Sequence, residues 1–143
     1  MLFMVGVEEP KQVGKEAYGI IVPAFEALDY TCVSAADTYE EILPNSKDAI
    51  LSMVEMAIED KHDILLLDQG FKDYRKIKEY KDYKIWIAVE VNLAEVQGKR
   101  VRFNASFNDA LLARIDTAVE TGPYKDRSAF LEQAARHELE HRA

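Results

Sequence analysis

The sequence predicts an α+β protein in two modules, a helix-on-sheet body over residues 1–96 and a strand–helix–helix tail over residues 99–143. Three observations carry this reading. Three short apolar runs crowd the first 34 residues, and a fourth strong run at 85–91 follows a long helical stretch. The net charge of −8 is unevenly spread: residues 1–96 hold 10 Lys/Arg against 19 Asp/Glu, and residues 97–143 hold 8 against 7. After Gly98, a stretch of two-residue alternation leads into two separately capped helical stripes.

In the body, residues 2–7 (LFMVGV), 17–22 (AYGIIV) and 30–34 (YTCVS) read as strands, and their closeness favours an antiparallel meander. Pro23 closes the second strand, because proline cannot serve a central ladder. TYEE is a capping box in which Thr38 caps and Glu41 reaches back from the third helical position. Pro44 would remove a hydrogen bond and clash with the preceding turn, so a short first turn and a restart at Asn45 or Ser46 are expected. From there Ile50, Met53, Val54, Ala57 and Ile58 form a helical stripe, with Met53 and Met56 as core or core-edge fillers. The run 64–67 (ILLL) is too short to type. The charged, tyrosine-rich stretch 71–84 reads as a solvated helix or loop, its acids interrupting any RNA-binding pattern. In the run 85–91 the residues Ile85, Ile87, Val89 and Val91 share one face, and Trp86, Ala88 and Glu90 the other. The segment NLAEVQG reads as a linker with Gly98 as the boundary.

Composition narrows the function classes. Hydrophobic residues at 48% and charged residues at 31% describe a folding chain. The lone Cys32 excludes disulfides and cysteine-rich metal sites and reads as a buried thiol. The opening MLFMVGVEEP lacks the basic segment and long apolar run of a signal peptide, and no stretch approaches 18 apolar residues, so a cytoplasmic protein without membrane contact is expected. The acidic body would repel nucleic acid and suits a basic protein partner.

The tail carries the sharpest pattern. Val101, Phe103, Ala105 and Phe107 alternate with Arg102, Asn104 and Ser106. One face is therefore apolar, while the other offers a guanidinium, an amide and a hydroxyl, groups that read base edges in a major groove. Asn108 caps a first helix with the stripe Leu112, Ile115 and Val119, widened by Leu111 and Ala118. Gly122 and Pro123 stop it, and Asp126 caps a second helix with the stripe Phe130 or Leu131, Ala134, Ala135 and Leu139. About 45 residues with a single strand cannot close a core, and such a strand leaves both edges unpaired. A two-fold dimer solves both problems: the strands pair as an antiparallel ribbon over four helices. Its expected core is Val101, Phe103, Ala105, Phe107, Leu112, Ile115, Phe130 and Leu131. Arg102, Asn104 and Ser106 would read bases. Arg100, Lys125, Arg127 and Ser128 would contact phosphate, the last three beside the start of the second helix.

These residues carry a family resemblance. RVRFNASF, NDALLARID and DRSAFLEQAARHEL resemble the ribbon-helix-helix domain of HicB-family antitoxins. AYGIIVPAF, YTCVSAADTYEE and WIAVEVNLAEVQGK resemble that family's amino-terminal half. The likeness covers nearly the whole chain. It implies that the body is a degenerate ribonuclease-H-like layer that binds and masks a small basic mRNA-interferase toxin of the HicA family. It implies that the tail dimerises, with a tetramer as the larger alternative, and represses its own operon through operator DNA. No cofactor, metal or catalytic role is implied. The loop GPYKDRS is two residues longer than the short turn common in the family.

Three patterns point elsewhere and are set aside. His137, Glu138 and His141 spell a zinc-protease signature, but only two residues follow His141 to supply a third ligand. A nuclease would need converging carboxylates; Asp29, Asp37 and Glu90 could be grouped, but nothing in their spacing compels it. His62 and Asp63 are sequence neighbours that do not face each other on a helix. The alternative from another class is a stand-alone transcription regulator whose body senses a small molecule or stabilises the oligomer; an adjacent toxin gene discriminates the two.

Overall fold

The structure, a computed structural model, describes residues 1–12, 14–94, 96 and 100–142. The boundary glycine Gly98 and the tail's expected first residue, Lys99, lie outside the described residues. The chain divides into two compact units, Met1–Lys99 and Arg100–Ala143.

In the first unit, β1 (Leu2–Glu8), β2 (Tyr18–Ile21), β3 (Val33–Ala36) and β4 (Ile85–Glu90) form an antiparallel sheet in the order β3-β2-β1-β4. The expected meander is present, with β4 added beside β1. β1 lies inside the sheet and is covered on both faces, which is why its apolar residues run without alternation. The third strand is displaced from 30–34 to Val33–Ala36. Residues before it close a 3-10 turn, Pro23–Leu28, whose Pro23, Ala24, Phe25 and Leu28 are buried. The Tyr30 N–H donates to the Phe25 carbonyl at 3.1 Å, so Tyr30 belongs to the end of that turn.

One long helix, α1 (Tyr39–Glu59), covers one face of the sheet. Glu41 accepts from the N–H groups of Asp37 and Thr38 at 3.0 and 3.4 Å, as the capping pattern requires. The expected break at Pro44 does not occur: the helix continues through it. The carbonyl left without its donor is that of Glu40, an exposed residue that water can serve. The turns beyond are fixed by burial of Ile50, Val54 and Ala57 against Phe3, Val5, Ile20 and Val89. Met53 packs at the edge of this core, whereas Met56 is exposed.

The stretch 71–84 departs most from expectation. Among its tyrosines, Tyr74 and Tyr80 are buried, and with Met4 they form a second cluster joined by the half-buried Trp86 and Tyr83. Tyr74 stacks on Trp86 at 5.1 Å between ring centroids, and Tyr80 meets it edge-on at 5.9 Å. Gly6, opposite Trp86 in the ladder, makes room: a Cβ there would lie 2.7 Å from the indole ring. The sheet is thus covered by a helix on one face and an aromatic loop on the other. The run 64–67 is a 3-10 turn, Ile64–Leu67, with Leu67 buried. Cys32 is a free buried thiol, and burial pushes its pKa up to about 11.

The second unit contains α2 (Asp109–Thr121) and α3 (Arg127–Glu140). Among the described residues, no helix is long and apolar enough to cross a membrane.

Candidate nucleic-acid interface

The tail helices begin where the caps dictate. The Asn108 side chain accepts from the N–H groups of Ala110 and Leu111 at 3.0 and 3.2 Å. The Asp126 carboxylate accepts from Ala129 N–H at 2.8 Å. α2 ends at Gly122, whose N–H returns to the Ala118 carbonyl at 2.9 Å. That glycine is not in the left-handed region; it is required because a Cβ would stand 2.6 Å from the same carbonyl. Tyr124 packs edge-on against Phe130 at 4.9 Å and closes the loop between the helices.

Only Ile115 is buried among the described tail residues, at 5% exposure. Leu112, Phe130 and Leu131 are half-buried, as are Ala118 and Val119, while Leu111, Ala134, Ala135 and Leu139 are exposed. Two helices can cover only one line of contact, so the rest of each stripe stays half-buried or exposed among the described tail residues. The segment 101–108 forms no ladder in the single chain. Its apolar positions stand in solvent, Val101 at 79% and Phe103 at 80% exposure, with Ala105 and Phe107 also exposed. Among the described residues, 21 hydrophobic side chains are buried and Ile115 alone of them comes from the tail, which leaves that unit too little core to be self-sufficient.

The predicted polar residues fall into two groups. Arg102, Asn104, Ser106, Lys125 and Ser128 are exposed, with no side-chain partner among the described residues. Lys125 precedes the Asp126 cap, and Ser128 lies in the first turn of α3. Arg100 and Arg127 are engaged. Arg100 approaches Glu132 at 3.4 Å. Arg127 forms a two-pronged pair with Asp116, its Nε and NH2 donating at 2.7 and 2.8 Å. That pairing holds the Asp116 carboxyl below the usual carboxylate range. Arg127 therefore ties the start of α3 to the middle of α2, a link that residue spacing alone did not reveal.

The His137 and His141 rings stack at 4.1 Å, and both side chains are exposed on the end of α3. His62 packs edge-on against Tyr30, whose hydroxyl donates to Asp60. Among the described residues, no three His, Cys, Asp or Glu side chains are grouped to hold a metal ion.

The family model of the HicB-like antitoxin of bacterial toxin–antitoxin systems matches residues 3–135. The chain belongs to that family. The antitoxin is 34% identical over 140 residues to an uncharacterised 14.9 kDa protein from the rep-hol intergenic region of Haemophilus phage HP1 (strain HP1c1), covering 97% of this chain and 98% of that protein. Its fold is similar to the crystal structure of antitoxin HicB3, with a TM-score of 0.54 at 23% identity over 97% of this chain and 98% of the other. The crystal structure of the Burkholderia pseudomallei antitoxin HicB aligns at 26% identity and a TM-score of 0.46, over 100% and 99% of the two chains.

Proposed function

We propose that residues 1–96 of this antitoxin bind and neutralise a small basic mRNA-interferase toxin of the HicA family in the cytoplasm. In this reading residues 99–143 pair with a second copy as a ribbon-helix-helix dimer that binds operator DNA and represses the shared operon. The observation that carries it is the exposed alternation of Val101, Phe103, Ala105 and Phe107 beside two capped helices that bury one residue between them. Such a surface needs a second copy, and a paired ribbon would turn Arg102, Asn104 and Ser106 toward a major groove. Lys125, Ser128 and the first N–H groups of α3 would meet phosphate. The acidic body supports a basic partner, and a four-stranded antiparallel sheet with one helix on its face suits a degenerate ribonuclease-H-like layer.

The test is co-expression with the protein encoded beside its gene. The complex is weighed by light scattering and then titrated onto the DNA upstream of the operon at fixed salt. A retained small basic protein and sequence-specific binding by an even-numbered oligomer are the expected results. Specific DNA binding without a retained partner would favour the stand-alone regulator. A monomer without DNA affinity would overturn the ribbon-helix-helix assignment.

A further inference from the structure

The two outer edges of the sheet are treated differently. On β3, the ladder alternates so that Ala35 turns its backbone groups outward, because its neighbours Ser34 and Ala36 face β2. The Asn45 side-chain amide donates to the Ala35 carbonyl at 2.9 Å, so α1 satisfies that outward carbonyl. β4 has no such partner among the described residues. Met1 and Val91 exchange both backbone bonds at 2.9 Å, which fixes the alternation along the β1–β4 ladder. Ile85, Ile87, Val89 and Val91 face β1, and Trp86, Ala88 and Glu90 turn their N–H and C=O groups to the open side.

A groove of about 820 Å³ runs along that side. Ala88, Val89, Glu90 and Val91 line it, together with the exposed Leu43 and Lys47 of α1 and Leu65 of the 64–67 turn. An added strand would therefore find backbone partners at Ala88 and Glu90. Its alternate side chains would enter a groove where Leu43 and Leu65 stand beside Lys47, and those between would lie beside the Glu90 carboxylate.

We propose that the open edge of β4 is the toxin-docking edge, which accepts one strand of the basic partner in which apolar residues alternate with Lys or Arg. The inference rests on the antitoxin reading above. The charge of the body as a whole favours the occupant: residues 1–96 hold 19 acids against 10 bases, so a second acidic body is repelled and a basic strand attracted, with Glu90 on the edge to pair its Lys or Arg and Lys47 facing its apolar positions in the groove lining.

The experiment compares full-length Ala88→Pro and Ala88→Thr with the parent, each co-expressed with the protein encoded beside the gene. Proline at 88 removes an outward N–H and leaves the bonds to β1 in place, so the fold should be retained; Ala88→Thr keeps that N–H. Ala88→Pro should weaken partner binding about tenfold or more, with Ala88→Thr near parental. Hydrogen exchange on the parent complex gives a second readout, and the amides of Ala88 and Glu90 should be protected only when the partner is bound. Unchanged affinity in Ala88→Pro, or unprotected amides in the complex, would overturn the docking edge while leaving the toxin reading intact. A lower mass for lone Ala88→Pro would also overturn it, assigning the edge to self-association. A parent chain that retains no neighbour overturns the toxin reading, and this inference with it.

Discussion

Arg102 and Arg127 are both guanidinium groups of the tail, yet their surroundings give them different work. Arg127 spends two donors on Asp116, while Arg102 stands exposed between Val101 and Phe103. Because the Asp116 pKa is lowered, the pair is intact at neutral pH and is lost as pH falls through that lowered value. Arg102→Ala should reduce specific operator binding by about 1–3 kcal/mol and relax specificity at one base pair. Lys125→Ala should instead weaken binding to all sequences and lower the salt slope by about one unit. Titrations at several salt concentrations separate the two, and equal slopes for Lys125→Ala and parent would remove the phosphate role. Cys32 gives a residue-scale test of the body. A buried thiol with its pKa pushed up to about 11 should resist alkylation at pH 8 in the native protein and react once unfolded. Rapid native labelling would mean that β2 and the 3-10 turn after it open readily.

At the scale of elements, the local signals were legible and the compensations were not. The Thr38–Glu41 box, the Asn108 cap and the Asp126 cap all act within three or four residues, and each helix begins where they place it. Pro44 misled because its local cost is real but is outweighed by burial further along α1. Pro44→Ala should therefore stabilise the protein by about 1–2 kcal/mol, restoring an N–H in an exposed turn. No rise in thermal midpoint would mean that the proline fits without strain. The stretch 71–84 misled in the opposite direction. Its polar residues are exposed, but Tyr74 and Tyr80 turn inward onto Trp86. Gly6→Ala should drive a methyl group into that indole and cost about 1–3 kcal/mol, read as a lower denaturation midpoint.

For the whole molecule, the two units differ in self-sufficiency. Residues 1–99 have a sheet covered on both faces, whereas residues 100–143 bury Ile115 and leave Val101 and Phe103 in solvent. Phe103→Ser should therefore lower the mass of the oligomer and abolish specific DNA binding while sparing the fold of the body. Light scattering and circular dichroism read the two effects, and an unchanged mass would place the dimer contact elsewhere. Residues 1–96 alone should still protect against the toxin in a growth-rescue assay, more weakly than the full chain.

Near-neighbour patterns were readable along the chain: the helix caps, the alternation of 101–107, the apolar stripes and the split of charge between body and tail. The family motifs run across nearly the whole chain. The remaining features needed the folded molecule. It showed that a tyrosine-rich loop becomes the second face of a core, that Arg127 is tied to Asp116, and that Asn45 caps a carbonyl on one sheet edge while the other, among the described residues, has no such partner and borders a groove. The physical reason is range. Caps and periodicities are set within a turn or a strand, whereas a ring stack, an ion pair between helices or an unpaired edge is created by residues the chain brings together from far apart.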